Sequence, residues 1–260
     1  MRGNVSHSAV FKPHLRIINQ SKAGSFAHET LEIKAWSLTW TRSPLLQFLA
    51  KHLPGCTVAI GLEAYDDAVL RFHVNKGFST KTWRKAVEDL RRNNLRVKTY
   101  LIFKPPFMSE GDALNHTSKW LVDVAPLSDE VSINPMNIQN RTIVDRLFRN
   151  REYRPPWLWS LIEMIQRTHE ETSEHDSRII VHPTAGGKIR GAHNCGSCDK
   201  HVVAAIERYS VSRNLAEFKG LECECKAIWK AEIDSDLCLP TPLGTGRDRR
   251  GNRVDLMRAP

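Results

Sequence analysis

The chain has 260 residues, a formal net charge of +9 at pH 7 and a sequence pI of about 9.4. That length suffices for one large domain or two smaller ones with a sizeable core, and the charge favours an acidic partner, nucleic acid first. No apolar run approaches a membrane span, the first residues lack a signal-peptide core, and six cysteines with four in close pairs do not resemble a secreted disulfide framework. Composition therefore predicts a soluble, cytoplasmic protein with no membrane partner.

Taken in chain order, residues 15–19 and 33–38 are short apolar segments that read as strands. Residues 57–61 read as the next strand. Ser79 or Thr80 is placed to cap a helix in which Trp83, Val87 and Leu90 share a face. Residues 97–103 form another strand, ended by Pro105 and Pro106, which have no amide hydrogen for a ladder. Ala113, Leu114, Thr117, Trp120, Leu121 and Val124 make a helical stripe, and residues 131–134 a further strand stopped by Pro135. Repeated strand–helix units predict a parallel sheet, open or closed into a barrel. Pro155 and Pro156 are expected to begin a helix whose apolar face holds Trp157, Leu158, Leu161, Ile162 and Ile165. The polar stretch 168–177 reads as a surface linker.

Beyond it lie Cys195-Gly-Ser-Cys198 and Cys223-Glu-Cys225. Two close pairs separated by a short segment form the pattern of a tetrahedral thiolate site, each pair gripping the ion from one tight turn. Four soft thiolates suit structural zinc best, with an iron–sulfur centre as the competitor. Asp199, Lys200, Glu222 and Lys226 flank the cysteines, which argues against plain core packing. Cys238 is expected to remain outside the site. Arg247, Arg249, Arg250, Arg253 and Arg258 then lie among Gly, Pro and Asp, the composition of a disordered basic tail.

Several segments together resemble a known family. They are Ala59-Ile-Gly-Leu-Glu-Ala64, Val74-Asn-Lys-Gly-Phe78, Val97-Lys-Thr-Tyr-Leu-Ile-Phe-Lys-Pro-Pro-Phe107 with Glu110, and Ser132-Ile-Asn-Pro-Met-Asn137. Tyr153-Arg-Pro-Pro-Trp-Leu-Trp-Ser160 and Arg190-Gly-Ala-His-Asn-Cys-Gly-Ser-Cys198 complete the set. In this order they resemble the radical SAM subunit of archaeosine synthase, within the elongator-type radical SAM superfamily. The resemblance covers roughly residues 24–229. It implies a partial (β/α) barrel holding a 4Fe–4S cluster and S-adenosylmethionine. It also implies radical cleavage of a lysine adduct on a deazaguanine base in tRNA, with a partner subunit that installs the lysine.

The family pattern is incomplete here. A radical SAM cluster takes three thiolates spaced C-x3-C-x2-C and leaves one iron open for the cofactor, whereas Cys56 is the sole cysteine before Cys195. The expectation is an N-terminally incomplete barrel, from a missing or frame-shifted start, with a cluster-free descendant as the alternative. The corresponding functions are an enzyme of tRNA modification, inactive as this chain alone, or a non-catalytic zinc-bearing module that binds tRNA or a partner subunit.

The expected organisation is a partial α/β barrel over 1–172, a linker over 173–187, a four-cysteine metal module over 188–238 and a basic tail over 239–260. Cofactor contacts are assigned by the resemblance to Ser25, Glu63 and Asn134. The alternatives are a turn serine, a rim salt bridge for Glu63 and a strand-end asparagine satisfying a turn. Lys98 and Lys104 are expected to be solvated. Metal ligands are Cys195, Cys198, Cys223 and Cys225, and nucleic-acid contacts are Lys188, Arg190 and His193. The Trp157–Trp159 pair is either a stacking platform or core, with core favoured.

Overall fold

The computed structural model describes residues 14–18, 30–34, 44–235, 246–247 and 253–254. Six strands form one sheet in chain order: β1 (His14–Ile18), β2 (Thr30–Lys34), β3 (Thr57–Glu63), β4 (Arg96–Phe103), β5 (Glu130–Pro135) and β6 (Arg178–Val181). From β2 to β6 every pairing is parallel, as the strand–helix alternation predicts. β1 corrects the expectation, because it pairs antiparallel with β2. β2 also starts earlier than the expected strand, and residues 35–38 lie outside the described residues. Strands added in sequence order, with no reversal, build a curved wall with its crossovers on one side, which is part of a barrel.

Alternation along β4 shows the two faces. Val97, Thr99, Leu101 and Phe103 are buried, whereas Lys98, Tyr100 and Ile102 are half-buried on the other face. Helices connect and follow the strands. They are α1 (Pro44–His52), α2 (Asp67–Val69, running into a π turn, Leu70–Val74), α3 (Thr80–Arg92), α4 (Glu110–Val124), α5 (Ile143–Arg149), α6 (Leu158–Ser173), α7 (Asp199–Ser212) and α8 (Cys225–Asp234). Capping starts α3 and α4: Ser79 Oγ accepts from the Thr82 amide at 3.2 Å, and Ser109 Oγ from the Asp112 amide at 3.1 Å. Trp83, Val87 and Leu90 of α3 are buried, as their spacing predicts.

Three expectations in the second half need correction. Helix α6 begins at Leu158, with Trp157 as its cap residue, so Pro155 and Pro156 lie ahead of it in non-helical chain. The stretch read as a linker is structured, since α6 runs to Ser173 with Thr168 and Thr172 buried. Their hydroxyls bond back to the carbonyls of Met164 and Thr168, which removes the cost of burying them. Arg178–Val181 then pairs with β5 as the last parallel strand.

One continuous core joins the sheet to the C-terminal helices, with Leu101, Trp120 and Leu161 in the same cluster as Val202, Tyr209, Cys225 and Trp229. Gly111 permits the close approach of α8, because a Cβ there would lie 2.7 Å from the Ile233 carbonyl oxygen. Within the expected basic tail, Gly246–Arg247 pairs antiparallel with Arg253–Val254. The rest of that tail, Cys238 and Ser25 lie outside the described residues. Among the described residues no helix is long and apolar enough to cross a membrane.

Candidate metal centre and barrel mouth

The four cysteines of the two sequence pairs converge. Their sulfurs all lie within 4.8 Å of one another. Cys195 Sγ is 3.9 Å from Cys198 Sγ and 3.6 Å from Cys223 Sγ, and Cys198 Sγ is 3.7 Å from Cys225 Sγ. A zinc–sulfur bond of about 2.3 Å gives a tetrahedral sulfur–sulfur edge of about 3.8 Å. The spacing thus fits a closed four-thiolate site able to hold one metal ion.

Local structure builds this geometry from both sides. In the first pair, Gly196 adopts φ +91°, open to glycine and strained for a side chain, which lets the chain reverse between Cys195 and Cys198. Asp199, at the start of α7 and buried, accepts from the Asn194 and Gly196 amides at 3.0 and 3.2 Å and so fixes that turn. Burial works to raise the Cys195 thiol, but hydrogen bonds from the Cys198 and Ser197 amides outweigh it and bring the group down to about 7. Burial pushes Cys198 up to about 11 and Cys225 higher still. Buried thiols without a cation resist ionisation, and a divalent ion is what would make all four thiolates.

The Trp-rich segment ties this centre to the barrel. Trp159 Nε1 donates to Cys225 Sγ at 3.3 Å, and its amide donates to Asn194 Oδ1 at 3.3 Å. Asn194 Nδ2 in turn donates to Cys198 Sγ at 3.4 Å. Trp157 Nε1 donates to Glu232 of α8 at 2.6 Å, and its amide donates to Glu110 at 2.9 Å. Both tryptophans are buried, so the core reading is correct. These contacts orient the cysteines from outside the ligand set, as surrounding groups do at metal sites.

A set of buried charges at the C-terminal end of β4 was not legible beforehand. Lys104, expected to be solvated, is buried and donates to Glu110 Oε2 at 2.7 Å. Its Nζ also stands 4.0 Å from Glu232 Oε1. Glu110 is 0% exposed and accepts further bonds from Ser160 Oγ at 2.5 Å and from the Trp157 amide. Arg154 is buried, stacks 3.8 Å from the Trp157 ring centroid, and donates to the Pro155 and His193 carbonyls. Burial raises the Glu232 carboxyl, with the nearby Glu110 charge adding to the effect, and lowers Arg154 to about 10. The signal available in sequence was a lysine at the end of an apolar strand, directly before two prolines.

Of the residues expected to touch a cofactor, Glu63 and Asn134 are described, at the C-terminal ends of β3 and β5. Glu63 sits at the end of β3 with φ +75° and pairs with Lys76 at 3.0 Å, the rim salt bridge of the alternative reading. Gly61 makes room for it, since a Cβ there would lie 2.5 Å from Glu63 Oε1. Asn134 is half-buried at the end of β5, opposite Ile102 in register. It belongs to the open face that carries Lys98, paired with Glu130 at 2.5 Å. The C-terminal ends of β3 and β5 are where open and closed α/β sheets place their sites.

Of the residues expected to meet nucleic acid, Lys188 is exposed, Arg190 is half-buried and His193 is buried. Arg190 spends its guanidinium on Asp145 at 2.7 Å and on the Ile138 carbonyl at 3.2 Å. His193 is 9% exposed and bonded through Nδ1 to the Gly191 carbonyl, and burial with Arg154 nearby holds it down to about 3. A neutral, enclosed imidazole carries no charge for phosphate, whereas Lys188 is exposed and Arg190 keeps part of its side chain at the surface.

No family model matches the chain. It is 35% identical over 187 residues to archaeosine synthase subunit beta of Methanosarcina acetivorans, covering 72% of this chain and 54% of that protein. It is also 35% identical over 181 residues to archaeosine synthase subunit beta of Thermococcus kodakarensis, covering 69% of this chain and 55% of that protein. The chain therefore spans about half the length of the curated relatives it matches. The archaeal Methanocaldococcus infernus Elp3 with an N-terminal deletion superposes with a TM-score of 0.51 at 18% identity, over 74% of this chain and 42% of that one. That likeness bears on the fold, and the sequence matches bear on the lineage. By sequence the chain is similar to archaeosine synthase beta subunits over about half of their length, and its fold is similar to that of the archaeal Elp3.

Proposed function

We propose that this chain serves tRNA modification of the archaeosine type in the cytoplasm, binding tRNA and a partner subunit around the mouth of its partial barrel. The observation that carries this reading is the 35% identity to two archaeosine synthase beta subunits. The basic charge adds to it, because phosphate contacts dominate nucleic-acid affinity. The four-cysteine site holds zinc in this reading. Its four ligands close the coordination sphere, and a closed site stabilises structure without offering an open position. Lys188 stands on the loop between β6 and the cysteines and is the proposed phosphate contact.

The family's radical step cleaves a lysine adduct on a deazaguanine base. S-adenosylmethionine would meet Glu63, Asn134 and Ser25, while the 4Fe–4S cluster would require three thiolates near the C-terminal ends of the strands. The residues of this chain do not fit that cluster. Cys56 is a single buried thiol just before β3, at the opposite end of a seven-residue strand, roughly 20 Å from the mouth. The C-terminal quartet would leave no iron open. No catalytic step is therefore assigned to these cysteines. The second reading is a zinc-bearing module that positions tRNA or a subunit, and the closed four-cysteine site suits both readings.

Filter binding of a tRNA transcript across a salt series tests the shared part of both readings. Binding is expected to weaken steeply as salt rises, and Lys188→Ala should reduce the slope by about one. A flat salt response, or no binding at low salt, would remove tRNA from the proposal.

A further inference from the structure

Two large aromatic side chains stand exposed at the mouth of the barrel with no structural role that accounts for them. Phe72 is 68% exposed and Phe107 is 56% exposed. They belong to the loops that follow β3 and β4, which are adjacent in the sheet. Parallel α/β sheets place their ligands at these strand ends.

The backbone under both residues is unusual. Phe72 is carried by the π turn Leu70–Val74, a geometry found mostly as single turns and often at functional sites. Phe107 has φ +65°, a left-handed conformation that is an outlier for a bulky residue. Glycine at position 107 would relieve that strain, and a polar residue would suit its exposure. Strained backbone that supports exposed aromatic surface points to ligand contact rather than to folding.

His73 braces the two loops. Its Nδ1 is 2.7 Å from the Pro106 carbonyl oxygen, and its ring lies edge-on to Phe107 at 6.1 Å between centroids. The Arg71 guanidinium stands 5.2 Å from the centroid of the Phe72 ring and is itself exposed. The result is two exposed phenyl rings on neighbouring loops, Phe107 held by His73 and Phe72 with the Arg71 guanidinium over its ring. An apolar protein partner would be better served by a contiguous apolar patch. Rings interleaved with a histidine and an arginine suit planar, electron-rich groups attached to phosphate.

We propose that Phe72 and Phe107 form a stacking platform for unpaired bases of the bound RNA, with Arg71 meeting the adjoining backbone. This rests on the tRNA-binding reading above and names the surface that would present the base to the barrel mouth. The platform gives affinity by stacking, so its contribution is insensitive to salt, whereas that of Lys188 is not.

The test compares the full chain with Phe72→Ala/Phe107→Ala, Phe72→Leu/Phe107→Leu and Phe72→Trp/Phe107→Trp. Each is assayed for affinity to a tRNA transcript across a salt series, and for quenching of a 2-aminopurine-labelled single-stranded RNA. Thermal melts followed by circular dichroism check that the variants fold, as exposed positions should allow. The alanine and leucine pairs are expected to lose about tenfold or more in affinity, with an unchanged salt slope and lost quenching. The tryptophan pair should keep both. Unchanged tRNA affinity in the alanine pair would overturn the platform while leaving tRNA binding intact. That holds also if the pair loses a protein partner instead. Full affinity in the leucine pair would mean apolar contact without stacking and would overturn it as well. A wild-type chain that binds no tRNA would overturn the platform together with the reading beneath it.

Discussion

Glu110→Ala is expected to destabilise the fold by about 3–5 kcal/mol, the cost of breaking a buried ion pair from one side. Glu110 is fully buried and serves three donors: Lys104 Nζ, Ser160 Oγ and the Trp157 amide. Removing it leaves the Lys104 ammonium with Glu232 at 4.0 Å as its nearest carboxylate, and strands the first amide of the Trp-rich segment. Lys104→Met made on the Glu110→Ala background should recover part of the loss, because the uncompensated charge disappears while the Trp157 amide and the Ser160 O–H stay without an acceptor, Ser160 Oγ still accepting from Trp229 Nε1. Urea unfolding of the three proteins measures this. A loss below about 1 kcal/mol in Glu110→Ala would mean that water reaches the cluster and that it does not clamp β4 to α6 and α8.

Cys198→Ser should abolish stoichiometric metal binding and loosen α7 and α8 together. Cys198 starts α7, is buried, and touches both Cys195 and Cys225 across the centre. A serine oxygen is a poor replacement for a thiolate on zinc, and structural zinc contributes folding free energy directly. The loss should not stop at the cysteines. Trp159 bonds Cys225 and Asn194 bonds Cys198, so a relaxed centre releases the start of α6 as well. Elemental analysis and hydrogen exchange on the variant would report both effects. Unchanged zinc content would reject this ligand set. Lost zinc with unchanged protection in residues 157–165 would separate the centre from the barrel.

Much of the fold was legible because it follows from periodicity. Strands β3, β4 and β5 alternate, or run apolar, between prolines and polar caps, and Ser79 begins α3 where its side chain predicts. The candidate ligand set was legible from spacing alone, and the four sulfurs converge as two tight pairs suggest. The errors share one cause, which is that tertiary contacts override local polarity. Thr168 and Thr172 look like linker residues until their hydroxyls bond backward inside a helix. Arg190 and His193 look like a basic surface until Asp145 and the Gly191 carbonyl occupy them. Lys104 and Glu110 are distant in sequence from Arg154 and Glu232, and nothing in local pattern shows that the chain brings them together in one buried network.

The same contacts join the Trp-rich and His-Asn-Cys segments into one network. Tyr153 donates to the Lys104 carbonyl at 2.6 Å, Arg154 bonds the His193 carbonyl, Trp157 bonds Glu110 and Glu232, and Trp159 bonds Asn194 and Cys225. One extended segment thus connects the end of β4, the cysteine turn and α8. Tyr153 Oη, Arg154 and the two indoles each have a partner that another side chain would leave unsatisfied.

X-ray absorption at the metal edge of the purified chain tests the shared thiolate site most directly. The expected spectrum shows one zinc per chain with four sulfur neighbours at about 2.3 Å and no light-atom ligand in the first shell. A shell containing nitrogen or oxygen, or a metal whose spectrum is unchanged in Cys198→Ser, would contradict a closed site formed by Cys195, Cys198, Cys223 and Cys225.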